Sequence, residues 1–350
     1  MRSILTVGSL AFACLWFGFA ADAADNFDNY YAKDYVAEDH ADGPPGEEPL
    51  PGDSCGCCDS TACDCCCECE CFDGCDCSSD RRRILGMLPS DHCFDGFISP
   101  LSNPFFFEDP RSLTEVRGIF LDNSLPSDIS GGDVHVWAAQ LRGRVTDRAS
   151  IIAPRVSYLQ VNQAAGGPPR GFLSAPVGFK YNFIRDVERQ LLVSAGMTYF
   201  IKGSSDAFSN FGDGDFHFFL TGGKEVFGRG HWLSATGFRI PLDSNWGTQL
   251  WYWSNQWDYE LANHIYPLVG INWFHWMRSA GNNLTGGITS IDLINLPSGG
   301  VAGTDVVSGV VGVKWKPTCH CELGTGFEFP LTDRTDILRN RVYADLIFRY

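Results

Sequence analysis

Beyond its first two dozen residues, the 350-residue chain has no apolar stretch of 18 or more, which excludes a membrane-crossing helix in that part. It also lacks a basic face. Residues 81–350 hold 25 acids and 24 bases, and so nearly neutral a body argues against nucleic acid as a partner. There is no H-E-x-x-H and no Gly-rich phosphate loop, so neither zinc-peptidase nor nucleotide chemistry has a motif to stand on. No cofactor is expected.

What is present divides into unlike parts. Residues 1–80 carry 17 acids against 2 bases, so the acidic balance belongs to the N-terminal stretch rather than to the body. Met1 to about Ala23 reads as a secretory signal: Arg2 at the start, an apolar Ile4–Ala20, and Ala21-Asp-Ala23 as cleavage site. Residues 24–83 are acidic, broken by Pro and Gly and poor in aliphatics, the composition of a disordered tail. Within them lie 11 cysteines in 23 residues, Cys55 to Cys77. In composition this run resembles metallothioneins, which would imply soft-metal binding; in an oxidising compartment disulfide formation competes and is the favoured fate.

Residues 84–111 turn apolar without a period, with Phe94, Phe97 and Phe105-Phe-Phe107 among four prolines. A segment so sticky and so irregular has to lie against something, and it is read as a linker or plug. From residue 112 the chain repeats about ten alternating residues followed by turn residues. Twelve strands are predicted, at 112–121, 133–145, 150–161, 172–184, 189–202, 213–224, 231–242, 248–258, 263–276, 305–316, 319–329 and 340–350. Alternation is clear in Leu191, Val193, Ala195, Met197, Tyr199 and Ile201, and in Leu173, Ala175, Val177, Phe179, Tyr181 and Phe183, where Pro176 counts somewhat against a strand. Short connections mostly alternate with longer ones, as in membrane barrels.

The last ten residues, Arg341 to Tyr350, set Val342, Ala344, Leu346, Phe348 and Tyr350 on one face, with three charges on the other. This ending resembles the C-terminal strand of bacterial outer-membrane β-barrels. The resemblance spans about residues 111–350 and rests on pattern. It implies an all-β, antiparallel up-and-down transmembrane barrel in the outer membrane, with lipid and the barrel-assembly machinery as partners and both termini periplasmic. Outer-membrane phospholipases share the twelve-strand barrel, but their His and Ser two apart are missing: the nearest stretches read His217-Phe-Phe, His231-Trp-Leu-Ser234 and His275-Trp-Met. An enzyme is therefore not expected.

If the apolar rows face lipid, the opposite rows face the lumen: Arg142, Arg144, Arg155, Lys180, His217, Lys314, Glu328, Arg341, Asp345 and Arg349, with Asp215. Small residues among them (Ser194, Gly178, Gly196, Ser308, Gly312) leave room. The expectation is a narrow pore or uptake channel for small polar solutes, anionic ones included, against the alternative that these charges pair inside a plugged lumen. A structural anchor for the cysteine-rich tail is a further alternative, a lipid-modifying enzyme another. Residues 277–304 either fold inward or extend as a hairpin, the hairpin being slightly favoured. Cys93, Cys319, His320 and Cys321 fall at one end of the barrel, where Cys93 can bridge to Cys319 or Cys321, or the group can hold a metal, disulfide being favoured. The acidic tail, hanging at that mouth, is expected to occlude it electrostatically.

Overall fold

The computed structural model describes residues 83–129, 131–162, 170–173, 175–201, 213–262 and 264–350. The signal, the cysteine run and the tail's proposed occlusion of the mouth lie outside the described residues.

Period-2 alternation becomes one antiparallel sheet of thirteen strands: β1 (Glu115–Ser124), β2 (Asp133–Arg144), β3 (Ala149–Asn162), β4 (Arg170–Phe172), β5 (Pro176–Asp186), β6 (Leu191–Phe200), β7 (Asp215–Val226), β8 (Gly230–Pro241), β9 (Gln249–Tyr259), β10 (Ile265–Arg278), β11 (Asp305–Thr318), β12 (Cys321–Pro330) and β13 (Asn340–Arg349). β1 pairs with both β2 and β13, and β3 with both β2 and β5, so the sheet closes into a barrel. β4 and β5 pair with β3 in one register, Tyr158 opposite Phe172 and Ile152 opposite Gly178. They are two pieces of one crossing, so thirteen strands make twelve crossings. The first strand starts and ends three residues later than the spacing predicts; the number, order and antiparallel sense are as expected.

Closure depends on the C-terminal strand. β13 sets Arg349 opposite Glu115 and Arg341 opposite Asn123, while its other edge pairs with β12. Val342, Leu346 and Phe348 are exposed on the outside, and Arg341, Tyr343, Asp345, Ile347 and Arg349 are buried inside. A closed sheet leaves no unpaired edge, the condition for a spanning β-structure. One expected row fails: Leu173 is buried inside, whereas Val177, Phe179 and Tyr181 are exposed on the outside. Leu173 is buried and Ala175 exposed, so the alternation shifts by one just before Pro176.

The lumen is not empty. Residues 88–114 enter at the rim of short turns, where the Leu88 amide donates to the Arg144 carbonyl at 2.8 Å. They pass through one short 3-10 turn (His92–Phe94) and reverse at Asn103, whose φ of 47° lets Phe107 N–H donate to its carbonyl at 2.8 Å. They return to the same rim, where the Asp91 amide donates to the Ser112 carbonyl at 2.9 Å. Phe94, Phe97, Ile98, Leu101, Phe105 and Phe107 are at most 1 % exposed, filling space that an open pore would leave to water.

Small wall residues provide the seats. Gly312 on β11 lies opposite Gly326 on β12, and a Cβ there would stand 2.8 Å and 2.6 Å from Leu101 Cδ2. A Cβ at Gly223 would meet Phe97 at 3.1 Å and Pro110 at 3.3 Å. The room expected between the lumenal charges is therefore room for the hairpin. Replacing Gly326 with Val should overpack the Leu101 seat by about 1–3 kcal/mol, although valine favours strands elsewhere. A lowered heat-modification temperature on SDS gels would register it; an unchanged or raised one would show the seat is slack.

Candidate functional site

An irregular segment buried in a barrel carries peptide groups that no ladder satisfies, so the wall's side chains must. They do so from around the cylinder. Glu322 Oε1 accepts the Ser99 amide and Gln256 Oε1 the Leu101 amide, each at 2.9 Å. Arg117 donates to the Pro100 carbonyl and Tyr252 Oη to the Phe106 carbonyl, each at 2.8 Å. Thr221 Oγ1 donates to the Glu108 carbonyl at 2.7 Å and Ser194 Oγ to the Pro110 carbonyl at 2.6 Å. Lys180 Nζ donates to the Asp109 and Arg111 carbonyls, and Gln140 Nε2 to the Pro104 carbonyl.

The charges form one buried network. Glu108 of the inner segment accepts from Arg142 at 2.6 and 2.8 Å and from Lys180 at 3.0 Å. Arg142 also reaches Glu115 at 2.5 Å, and Glu115 accepts from Arg349 at 2.7 Å across the closing β1–β13 pair. Arg349 continues to Glu322 at 2.8 Å, and Glu322 to Lys314 at 2.6 Å. Lys314 and Arg117 share Asp345 at 2.9 and 2.6 Å. Within the segment Arg111 clasps Asp109 at 2.7 Å and donates to the Phe97 carbonyl at 2.8 Å, tying the two arms together. Burial alone would raise the Glu108 carboxyl, but Arg142 and Lys180 outweigh it and hold it at about 2.

The long loop, residues 279–304, folds inward. Ile291 and Leu293 are each 1 % exposed, Asp292 meets Arg341 at 2.9 Å, and Arg239 donates to the Ile291 carbonyl at 3.2 Å. Arg155 donates to the carbonyls of Asp292 and Leu293. This corrects the favoured hairpin: the run Ile288–Leu296 is apolar because it joins the lumenal core. Leu293 sits with Leu101, Phe105, Leu159 and Leu173, while Ile291 sits with Phe94, Phe97, Phe106 and Phe107.

The residues expected to line a pore are buried and paired with the inner segment, the loop or one another rather than exposed as a wetted wall. Arg142, Lys180, Lys314, Arg349, Asp345 and Arg341 belong to the pairs above. Glu328 accepts from Arg341 at 3.3 Å and from Asn272 at 3.0 Å. Arg144 donates to the Pro89 carbonyl at 3.1 Å. His217 meets Tyr252 Oη at 3.0 Å, and Asp215 accepts from Asn295 at 2.6 Å. The basic vestibule is thus neutralised, in part by Glu108. Strand alternation also sets Arg117, Gln140, Arg239, Gln256 and Glu322 on inward rows; only the buried segment reveals their task.

At the short-turn rim, Cys93 and Cys319 each belong to a disulfide and Cys321 is a free thiol. A Cys319–Cys321 bridge is thereby ruled out, and two of the four residues offered for a metal no longer carry thiolates. His320 Nδ1 lies 3.2 Å from the Arg349 carbonyl oxygen, an ordinary strand-end contact.

No family model and no curated protein sequence matches the chain. Among solved structures it is similar to the NanC porin (8 % identity, TM-score 0.43, covering 67 % of this chain and 98 % of that one). It is also similar to the KdgM porin in complex with a disordered oligogalacturonate (7 %, 0.40, 68 % and 99 %). A third is the beta domain of the Bordetella autotransporter BrkA (11 %, 0.42, 67 % and 98 %).

Glu108→Ala should destabilise by about 3–5 kcal/mol, because Arg142 and Lys180 lose a buried partner. Faster amide exchange over residues 88–113 in a barrel that still shows heat modification would confirm it. The pH sense follows from the depressed carboxyl: the contribution is whole above the usual value of 4.5 and is lost as pH falls toward about 2. The same amides should therefore stay protected at neutral pH and exchange faster in that acid window; protection unchanged through it would contradict the role of Glu108. Without reductant, alkylation should reach Cys321 but neither Cys93 nor Cys319, as peptide mapping would show.

Proposed function

We propose that this is an outer-membrane barrel forming a path for small polar solutes, closed in this state by its own residues 88–113 and the loop tip around 288–295. The observation that supports it is the pairing pattern: wall cations, Arg142 and Lys180 above all, are matched to carboxylates of the inner segment. Withdrawing that segment takes Glu108 away from Arg142 and Lys180 (Asp109 leaves together with its own partner Arg111), leaving a polar lining with a cationic excess suited to anionic solutes. The outward rows of Val, Leu and Phe suit lipid, and the C-terminal strand suits recognition by the assembly machinery. With the short turns on the periplasmic side, the start of β1 and the end of β13 both face the periplasm.

A second reading is favoured by the two apolar clusters within the lumen, which resemble a protein core more than a channel. In that reading the barrel is a permanently filled anchor for the cysteine-rich tail. Planar-bilayer recording under a KCl gradient separates the two. The full chain should be almost silent, whereas Glu108→Ala combined with Leu101→Ala should conduct, with a reversal potential of anion sign. Silence of the doubly substituted, demonstrably folded barrel would favour the anchor; cation selectivity would end the anionic-solute assignment.

A further inference from the structure

Two closures fill the lumen, and they are held unequally. Glu108 of the inner segment meets Arg142 with both carboxylate oxygens, at 2.6 and 2.8 Å. Asp292 at the loop tip meets Arg341 with one oxygen only, at 2.9 Å. Its other oxygen, Oδ2, is buried and finds no hydrogen-bond partner among the described residues. Arg239 is held more weakly still. It is 3 % exposed, yet its donors reach only neutral oxygens: the Ile291 and Ile294 carbonyls at 3.2 and 3.5 Å and Thr248 Oγ1 at 3.4 Å. Its Nε has no partner among the described residues. A guanidinium matches a planar carboxylate, and such a charge-assisted bond is roughly twice as strong as one to a neutral acceptor.

The tip itself is a small body of its own. The Leu293 amide donates to the Ser290 carbonyl and the Ile294 amide to Ser290 Oγ, each at 3.0 Å, so residues 290–294 form a turn that satisfies part of its own backbone. Within it Ile291 has a φ of 57°, a left-handed conformation that a β-branched residue adopts only when its surroundings impose it. The flanks of the turn are fixed. Thr289 Oγ1 donates to Asp336 of the neighbouring loop. Asn295 accepts from the Thr248 amide and hydroxyl, each at 2.9 Å, and donates to Asp215 at 2.6 Å. The turn can therefore swing toward the long-loop mouth while its flanks stay in place, and Asp215 remains engaged when it does.

In its seat the turn imitates a ligand. Its carbonyl oxygens face Arg239, and its carboxylate lies on Arg341. Ile291 packs in the cluster that holds Phe106 and Phe107, and Leu293 in the one that holds Phe105 and Leu159. The Phe106 ring lies 5.6 Å from the Arg239 guanidinium carbon. A molecule that replaces the turn has to bring a negative charge for Arg239 and a flat apolar body for the space that Ile291 leaves. Arg341 needs nothing from it, since Glu328 remains at 3.3 Å once Asp292 has gone.

We propose that residues 290–294 are a displaceable internal ligand, and that the seat they occupy at Arg239 binds an aromatic carboxylate entering by the long-loop mouth. The carboxylate takes the Arg239 donors, and the ring lies on Phe106. This deepens, and rests on, the reading of the lumen as a place for anionic solutes, but it does not require conduction.

The test uses the full chain in lipid nanodiscs, with 2-naphthoate as probe and the uncharged 2-naphthylmethanol as control. Naphthoate should bind saturably and the alcohol only by partition into lipid. Amide exchange over residues 288–294 should rise several-fold at saturation while residues 97–110 stay protected. In variants that still show heat modification, Asp292→Asn weakens the internal ligand and should tighten naphthoate binding by about tenfold, since more of the protein is then competent to bind. Arg239→Gln should weaken binding several-fold, and Asp128→Asn, exposed in the loop after β1, should leave it unchanged. Naphthoate binding that is indifferent to Arg239→Gln, or not tightened by Asp292→Asn, overturns the proposal, as does unchanged exchange over residues 288–294. Saturable binding to a barrel that stays silent as Glu108→Ala with Leu101→Ala would keep this seat and end the conducting path; conduction without naphthoate binding would do the reverse.

Discussion

A polypeptide without secondary structure, buried inside a cylinder, must have each of its peptide groups hydrogen-bonded by something else. That requirement governs the interior of this barrel. The segment from Leu88 to Leu113 makes few backbone pairs of its own, so amides and carbonyls from Ser99 to Arg111 are met by Glu322, Gln256, Arg117, Tyr252, Thr221, Ser194 and Lys180. A lumen-facing side chain that would otherwise be solvated is thereby committed to one partner. The wall is polar because its filling is backbone.

The ion pairs act differently. Burying a charge costs several kcal/mol, and a partner in good geometry returns about as much, so such pairs discriminate between arrangements more than they stabilise. The run Glu108–Arg142–Glu115–Arg349–Glu322–Lys314 passes from the inner segment through β2, β1, β13, β12 and β11. It spans the β1–β13 pair at which the sheet closes. Correct closure and correct seating of the segment are therefore specified by the same charges, and an error in either leaves a buried ion alone.

Much of the architecture was legible in the sequence because a period of two survives in every crossing. Local exceptions are Leu173, close to a proline, and the adjacent Pro154 and Arg155, both buried where β3 is bulged against β2. The apolar, irregular stretch around Phe94–Phe107 was readable as something that must be covered, and its covering is the lumen. What alternation does not reveal is whom a lumenal charge meets. Arg142 and Lys180 read as free pore-lining cations because their partner, Glu108, lies outside the strands in a segment with no period of its own. The loop around Ile288–Leu296 was misjudged for a similar reason: apolar residues can line a hairpin or fill a core, and only the depth of the cavity decides.

Both ends of the buried hairpin stand at one rim: Leu88 beside Arg144, and Thr114 beside Ser90 and Tyr350. A chain that came in at one mouth and left by the other would be locked in place, since its removal would require unthreading. This one is inserted as a finger is inserted into a glove. Because Cys93, at the base of the finger, is disulfide-bonded, only the part beyond it could leave and return as a tethered loop, with every strand of the cylinder still joined to its neighbours.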